Sequence, residues 1–418
     1  MMNPQKNAMK QTASVISTYS ADTFGVCSAL YELGGMVVIH DPSGCNSTYT
    51  THDEPRWYAK ESLIFISGLT EQDAILGSDD KLIREIVSAA HELRPHFICL
   101  IPSQIAHMIA TDCRALCRII EKKTGIPSFT LPTNSMHYYE RGIFFALEKL
   151  AGFVCKKAAQ DGFPGLSSRQ RKQGGSPRQD EPAAAINLTG SAPLNVNLLG
   201  ATPLDFAMNG SIDTVKDWLR AQGHTVKSCW AMDSSLDEIL ASYDADANLV
   251  LSYGGLGAAK ILQEKLGIPY TASVPIGGTL PNCSRPLPAL PKRQTAAKKY
   301  YIIGETVFAQ SLAAALETVL QRPFTVIVPM ETDASLLREG TLQRTDEAEL
   351  LPVFKDAALI IADPLYQPIC PPAATFIPLP HVAFSGRIYL DDIPNLVRPD
   401  VFAAFVKKIL ARLPEHEV

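Results

Sequence analysis

The chain has 418 residues, of which 46% are hydrophobic and 19% are charged, and its formal net charge is −5. This composition predicts a globular protein of two or three domains, and no cluster of basic and aromatic residues suggests a nucleic-acid partner. No stretch is apolar enough for a membrane span or a signal peptide, and nine cysteines, an odd number, favour a reducing, cytoplasmic environment.

Short apolar runs alternate with amphipathic helices along the chain, which is the pattern of parallel α/β domains. The alternation predicts three such domains, at residues 1–155, 187–276 and 299–418. Between the first two, residues 156–186 are rich in Gly, Ser, Lys and Arg. They predict a flexible linker, although their positive charge would also suit a partner-binding patch. A second linker, residues 277–298, is rich in proline.

The predicted elements follow in chain order. The first domain has strands at 36–39, 63–67 and 96–101 and helices at 81–93 and 139–150, with a further helix ending at Lys122. The second has strands at 185–188, 196–200, 225–230 and 248–253 and helices at 212–222, 236–242 and 258–266. The third has strands at 299–303, 324–328 and 358–362 and helices at 306–320 and 399–413. Functional residues are expected just after such strands, at their carboxyl ends.

The first predicted strand ends in a Pro-Ser-Gly turn that is followed directly by Cys45. Such a turn exposes backbone amides, and Gly44 lets a bulky group approach the backbone closely. The turn therefore predicts that the thiol of Cys45 is presented to a metal cluster or to a reacting carbon. The alternative is a buried cysteine at a strand end, since a free cysteine packs like a small hydrophobic residue.

Several side chains that titrate or donate protons lie close to Cys45 in the sequence. Within a dozen residues after it come His52, Asp53, Glu54 and Arg56. Histidine titrates near neutral pH and suits proton transfer, and an arginine can bind a carboxylate through two hydrogen bonds. The group predicts a catalytic set that delivers protons and binds an anion, with a solvated loop packed on Trp57 as the alternative. His40 precedes the turn and is interpreted as a hydrogen-bonded core histidine.

A more specific pattern follows. Residues 69–77 read Leu-Thr-Glu-x-Asp-x-x-x-Gly before a helix, and the strand at 96–101 is followed by Pro102-Ser103-Gln104. Together with Gly-Cys after a strand, this order resembles the first domain of the nitrogenase component 1 family. That family includes the catalytic subunits of nitrogenase, their cofactor-assembly homologues and the subunits of dark-operative protochlorophyllide reductase. The resemblance implies an α/β fold of three Rossmann-like parallel-sheet domains.

The resemblance also implies an iron–sulfur cluster, because family members hold one between two subunits through first-domain cysteines. Cys45 matches one ligand position, and Cys27 is the candidate for another, although the usual ligand lies a turn or two upstream. The third position reads Ser103-Gln104, and an amide is a poor ligand for iron. Two thiolates from each of two subunits would complete a [4Fe–4S] cluster, in a homodimer or in a heterodimer with a related subunit. Cys113 and Cys117 share one helical face and are interpreted as core residues.

Two positions are compared with the molybdenum–iron cofactor site of nitrogen-reducing members. Ser252 stands where those members have a cysteine, and His381 lies close to the position of their histidine. We therefore expect no cofactor of that type, although Gly44, Ser252 and His381 remain the predicted cofactor-binding residues of a pocket for another small molecule. The turn at 254–257 is rich in glycine, but the dinucleotide fingerprint is incomplete, which favours an ordinary strand–helix turn.

The resemblance predicts a nitrogenase-like reductase component. It would accept low-potential electrons from an ATP-dependent partner like the nitrogenase iron protein and pass them through the cluster to a small-molecule substrate. The chain has no P-loop, so ATP hydrolysis would belong to the partner. Two alternatives remain open, namely an iron–sulfur or metallocofactor assembly scaffold and a cluster-free small-molecule binding protein with the same fold.

Overall fold

A computed structural model describes residues 14–44, 54–77, 79–163, 186, 188–190, 192–281 and 299–414. It contains three parallel β-sheets with helices, which confirms the predicted α/β class. The chain divides into two compact units. One comprises Ser20–Met208 and Leu219–Thr271, and the other comprises Met1–Tyr19, Asn209–Trp218 and Ala272–Val418. None of the described helices is both long and apolar enough to span a membrane.

The first sheet has four parallel strands in the order β2-β1-β3-β4. Its strands are β1 (Met36–His40), β2 (Leu63–Ile66), β3 (Ile98–Pro102) and β4 (Ser128–Thr130). The helices of this region are α1 (Asp22–Leu30), α2 (Glu71–Leu76), α3 (Asp79–Leu93), α4 (Gln104–Met108), α5 (Cys113–Thr124) and α6 (Tyr139–Gln160). Every residue of the apolar strand β1 is buried, as expected for a central parallel strand with both faces covered.

The second sheet also has four strands, in the order β6-β5-β7-β8. They are β5 (Asn195–Leu199), β6 (Thr225–Cys229), β7 (Ala247–Val250) and β8 (Tyr270–Ala272). The helices in this stretch of the chain are α7 (Pro203–Phe206), α8 (Ser211–Ala221), α9 (Leu236–Leu240) and α10 (Leu256–Leu266), and most of α8 belongs to the other compact unit. A ladder of buried polar side chains crosses three strands of this sheet, since Ser228 donates to Asn197 and Asn197 donates to Asn248. These hydrogen bonds satisfy polar groups that would otherwise be costly to bury.

The third sheet has five strands in the order β11-β10-β9-β12-β13. They are β9 (Lys299–Ile303), β10 (Phe324–Val328), β11 (Leu342–Gln343), β12 (Ala357–Ala362) and β13 (Thr375–Pro378). The helices are α11 (Thr306–Leu320), α12 (Glu347–Val353), α13 (Val382–Ser385) and α14 (Pro399–Arg412). The bounds of β9, β10 and α11 agree with the sequence prediction, because Gly, Glu and Pro residues mark their ends.

Two glycines let the backbones of α1 and α6 touch. A Cβ atom on Gly25 would lie 1.8 Å from the carbonyl oxygen of Tyr139, and one on Gly142 would lie 1.8 Å from that of Asp22. The long helix α6 thereby covers α1 along its buried side. Because α6 continues to Gln160, the predicted first linker begins too early at residue 156.

The second predicted linker also begins too early. Residues 277–281 are described, and the N–H of Gly277 donates to the carbonyl of Leu396 at 2.8 Å. The indole of Trp218 donates to the carbonyl of Gly278 at 2.9 Å. These glycines are therefore fixed in the fold.

The strand that the sequence predicted at 185–188 is not formed by the described residues of that range.

Candidate functional site at the carboxyl edge of the first sheet

Strands β1, β2 and β3 end at one edge of the first sheet, and buried polar side chains meet there. The Nδ1 atom of His40 lies 2.8 Å from the hydroxyl of Ser67, and that hydroxyl accepts the backbone N–H of Asp41 at 3.2 Å. The hydroxyl of Ser103, which follows β3, donates to the carboxylate of Asp41. Three strand ends are thus joined by one hydrogen-bonded chain immediately before the turn that leads to Cys45.

His40 is 5% exposed. Burial lowers the pKa of its imidazole, against the opposing effect of the carboxylates of Asp79, Asp41 and Asp73. The ring is therefore neutral near pH 7. The interpretation of His40 as a hydrogen-bonded core histidine is confirmed.

The described part of this turn ends at Gly44. This glycine is exposed, and a Cβ atom built on it would meet no described residue within 4 Å. The close approach of a bulky group to the backbone next to Cys45 stays a prediction. Cys45, His52 and Asp53 themselves lie outside the described residues, so their assigned roles stay predictions.

A cavity of about 310 Å³ lies at the same edge. It is bordered by the ends of β1 and β2, by the α2–α3 region and by the segment between α4 and α5. Its polar lining includes His40, Asp73, Asp79, Lys81, Glu85 and Asp112. This cavity was not predicted from the sequence, although the polar residues that directly follow the strands were a signal for it.

Arg56 and Glu54 are both fully buried, and Arg56 is surrounded by acceptors. Its guanidinium donates to Glu54 at 2.7 Å and to Glu32 at 2.9 Å. It also donates to the carbonyl of Ala231 at 2.9 Å and to the carbonyl of Ser28 at 2.8 Å. The remaining donor reaches Ser28 and Glu54. All five N–H groups of an arginine are then occupied.

The prediction that Arg56 binds a substrate anion is therefore wrong, because no donor remains for it. The same correction applies to Glu54, whose fully buried carboxylate accepts hydrogen bonds from Arg56. Lys60 extends the cluster by pairing with Glu32 at 2.5 Å and with Asp233 at 3.0 Å. The cluster fixes residues 54–60 to α1 and to the turn after β6.

Cys27 does not have the environment of a cluster ligand. It is fully buried in α1, and burial, assisted by the negative charge of Glu54, raises the pKa of its thiol far above the usual range. Iron is bound by the thiolate, which this environment disfavours. The prediction of Cys27 as a ligand is thus contradicted. Cys113 and Cys117 are buried in the core cluster of the first sheet, as predicted.

The carboxyl edge of the second sheet is filled by its own backbone. The hydroxyl of Ser252 is fully buried and donates to the carbonyl of Gly200 at 2.8 Å. A Cβ atom on Gly200 would lie 2.6 Å from that hydroxyl, and one on Gly255 would lie 2.6 Å from the backbone of Leu199. Ser252 is therefore a packing residue, which corrects its assignment to a cofactor. The glycines serve strand–helix packing, which agrees with the preferred interpretation of this turn.

His381 lies in the other compact unit. Its backbone N–H donates to the carboxylate of Asp363 at 2.8 Å, and its ring meets the edge of Tyr19 at a centroid distance of 5.7 Å. Phe384 packs on the same tyrosine at 4.5 Å. The ring of His381 is thus held in an aromatic cluster, and a role for it in binding a cofactor stays a prediction. Among the described residues, no group of three or more His, Cys, Asp or Glu could hold a metal ion.

Comparison with known proteins agrees with this architecture. Residues 23–325 match the model of the family described as nitrogenase component 1 type oxidoreductase. The nitrogenase iron-molybdenum cofactor biosynthesis protein NifE of Clostridium pasteurianum is 30% identical over 267 residues, which are 62% of this chain and 51% of that protein. NifE of Sinorhizobium fredii is 25% identical over 208 residues, 49% of this chain and 36% of that protein. The chain thus spans about half the length, or less, of these curated relatives.

Solved structures agree in fold across nearly the whole chain. The structure described as nitrogenase Cp1 at pH 6.5 has a TM-score of 0.58 and 12% identity, covering 99% of this chain and 98% of that one. The structure of Cp1 at pH 5 has a TM-score of 0.60 and 13% identity, covering 98% of this chain and 91% of that one. At such low identity the likeness establishes the fold alone.

Proposed function

From the membership of this chain in the nitrogenase component 1 family, we propose that it holds an iron–sulfur-based cofactor at Cys45 during the assembly of that cofactor. The observation that carries the proposal is the exposed position of Gly44, directly before Cys45, in the turn that follows β1 at the carboxyl edge of the first sheet. Ligands of α/β folds bind outside such edges. The relatives described as cofactor biosynthesis proteins support a role in assembly.

The ligand count favours a second, related subunit. A cubane cluster needs about four thiolates, and the burial of Cys27 leaves Cys45 as the first-domain candidate. Two identical subunits would supply only half of the required thiolates. We therefore favour a heterodimer in which a related subunit contributes the remaining cysteines.

Exposed apolar side chains at the same edge support docking of a protein partner there. Ile75 and Leu76 at the end of α2 are 74% and 78% exposed, and Met108 at the end of α4 is 72% exposed. Their sequence neighbours Gly77 and Ile109 line the cavity described above. The ends of α2 and α4 therefore lie on the same face of the first sheet region. Apolar side chains exposed together in this way are typical of interaction surfaces.

The proposal is tested by purifying the tagged chain anaerobically from its own host, with the subunits that accompany it. We expect a brown protein whose absorbance near 400 nm and iron content are lost in Cys45→Ala. The matched control is Cys27→Ala, which removes a thiol of the same chain at a buried site and should keep the colour. A protein that stays brown without Cys45, or that binds no iron when intact, would refute the proposal.

A nitrogenase-like reductase is the second candidate, because neutral His40 lies beside the turn and could pass a proton when an electron arrives. The two candidates differ in turnover with a reduced, ATP-dependent iron protein. A reductase oxidises that donor continuously once its substrate is added. An assembly scaffold gives up its cluster once to an acceptor protein and then becomes colourless.

A further inference from the structure

A short segment before α1, residues 14–19, packs on a distant part of the sequence, and we call it the strap. It belongs to the compact unit that also contains Ala272–Val418. The hydrogen bonds that join the strap to this stretch connect residues 331 to 347 positions apart. The position of the strap therefore depends on side chains that are far from it in the sequence.

One end of the strap is held by a single carboxylate. The Oε2 atom of Glu347, in the first turn of α12, accepts the N–H groups of Ser14 and Val15, both at 2.8 Å. The N–H of Ile16 reaches the same atom at 3.1 Å. Successive backbone N–H groups that point at one oxygen form a concave anion site, and hydrogen bonds to a charged acceptor are the stronger ones.

These hydrogen bonds favour the ionised form of the latch residue, Glu347. The N–H of Val15 has the largest effect, and with those of Ile16 and Ser14 it lowers the pKa of the carboxyl against the opposing effect of burial. The carboxylate is therefore charged near neutral pH, and the strap is bound by charge-assisted hydrogen bonds there.

The other end of the strap is held by aromatic packing. The ring of Tyr19 is buried, with its centroid 4.5 Å from that of Phe384 and 5.7 Å from that of His381. The hydroxyl of Tyr366 donates to the hydroxyl of Tyr19 at 3.4 Å, and the ring of Tyr366 stacks on Phe384 at 4.7 Å. Tyr19 therefore covers one side of the aromatic cluster that contains the half-buried imidazole of His381.

The strap is exposed between these two ends. Ser17 and Thr18 are exposed, and Val15 is 61% exposed. Segments with little buried surface open locally at a lower free energy than the core of the fold. Residues 14–19 can therefore detach while the strands of the third sheet stay paired.

We propose that the strap is a detachable cover that controls access to the ring of His381, with Glu347 as its latch. In the closed state, Tyr19 keeps one side of the imidazole packed. In the open state, the imidazole becomes accessible to solvent and to small molecules. The inference concerns access to His381 alone and holds whether or not Cys45 carries a cofactor.

Hydrogen exchange of the purified full chain, followed by mass spectrometry, tests the latch. Glu347→Ala should speed the exchange of the amides of residues 14–16 by about tenfold or more, since each loses a charged acceptor. The amides of β9 should exchange as in the parent. The matched control is Glu349→Ala, which removes an exposed carboxylate two residues further along α12 and should leave the strap unchanged.

Reaction of His381 with diethyl pyrocarbonate, located by mass spectrometry, tests the cover. In the parent, His381 should react more slowly than His91, which is exposed on α3. Glu347→Ala and Tyr19→Ala should each accelerate the reaction at His381 severalfold and leave that at His91 unchanged. Glu347→Gln keeps an oxygen acceptor without its charge, so its rate should fall between those of the parent and Glu347→Ala.

Three results would overturn the inference. The first is a strap that exchanges only as slowly as β9 in the parent, which would mean that it never opens by itself. The second is a Glu347→Ala protein in which β9 loses protection as far as the strap does. The third is a reaction rate at His381 that does not change when the strap is released.

Discussion

The carboxyl edges of the first and second sheets occupy the same topological position, yet they are built in opposite ways. At the first edge, His40 and Ser67 border an open cavity, and a Cβ atom on Gly44 would meet no described residue within 4 Å. At the second edge, Gly200 and Gly255 bring backbone segments together so closely that no side chain fits between them. Both edges belong to the same compact unit.

The difference shows how a sheet edge becomes a site. Topology places a crevice outside the carboxyl ends of parallel strands, but the residues after each strand decide whether space remains there. At the first edge, polar side chains that hydrogen-bond to one another keep the segments that follow the strands separate. Glycines at the second edge remove the side chains that would keep the backbones separate. A glycine-rich turn after a strand is therefore weak support for a ligand site unless space beside it is observed.

The largest expected effect comes from breaking the buried cluster of Arg56, which joins the residues before β1 and β2 to the turn after β6 at the edge of the second sheet. Arg56 joins the segment that follows Cys45 to the carbonyl of Ala231, just after β6. We expect Arg56→Met to lower the free energy of unfolding by about 3–5 kcal/mol, because it removes the positive charge that pairs with the buried carboxylate of Glu54. Denaturant unfolding measures this loss.

The control for Arg56→Met is Arg398→Met, which removes an arginine that pairs with Asp400 at an exposed site. Exposed pairs contribute at most about 1 kcal/mol, so this variant should unfold nearly as the parent does. If both variants lose the same small amount, the buried cluster does not hold the first sheet to the turn after β6.

The next prediction tests whether the carboxyl edge of the second sheet is packed too closely to accept an added side chain. Gly255→Ala would place a methyl group 2.6 Å from the backbone of Leu199, and overpacking of this kind costs about 1–3 kcal/mol. Gly152→Ala is the control, because a methyl group at this position of α6 meets no described residue within 4 Å. It should raise the stability by about 0.5–1 kcal/mol. An unchanged Gly255→Ala protein would mean that this edge has room for a ligand.

The sequence predicted the parallel α/β fold and most central strands, because apolar runs bounded by turn residues are local signals. The turn after β1 was also predicted from local chemistry and is described as far as Gly44, whereas the presentation of the Cys45 thiol stays a prediction. The fate of Arg56 could not be predicted, since its acceptors on Glu32 and Ala231 come from distant parts of the chain. Two residues that follow each other closely in sequence, Cys45 and Arg56, were grouped as one site on proximity alone.

The burial of Cys27 had a signal that was overlooked. Its helix, α1, has eight buried residues out of nine, including the small residues Gly25 and Ser28. A helix that is apolar or small on every side is usually a buried one. A cysteine in such a helix is better interpreted as a core residue than as a ligand at a subunit surface.

The smallest expected effect concerns the protonation of His40 at the carboxyl edge of the first sheet. The pKa of His40 is lowered in the folded state, so the unfolded chain binds this proton more readily. His40 therefore contributes stability above the unfolded pKa of about 6.5, and that stability is lost as the pH falls through the lowered folded value. The difference in unfolding free energy between the parent and His40→Gln should shrink from about pH 7.5 to about pH 5.

Burial raises the pKa of Asp22 to about 6. The stability that Asp22 contributes is therefore lost as the pH rises, whereas the stability that His40 contributes is lost as the pH falls. Asp22 is present in both proteins and cancels in the difference between them. His91→Gln, at an exposed site on α3, controls for the loss of an imidazole. A difference that stays constant with pH would mean that the imidazole of His40 is already accessible to solvent. The first edge would then be an open surface, and its contrast with the closed second edge would be one of exposure rather than of a formed cavity.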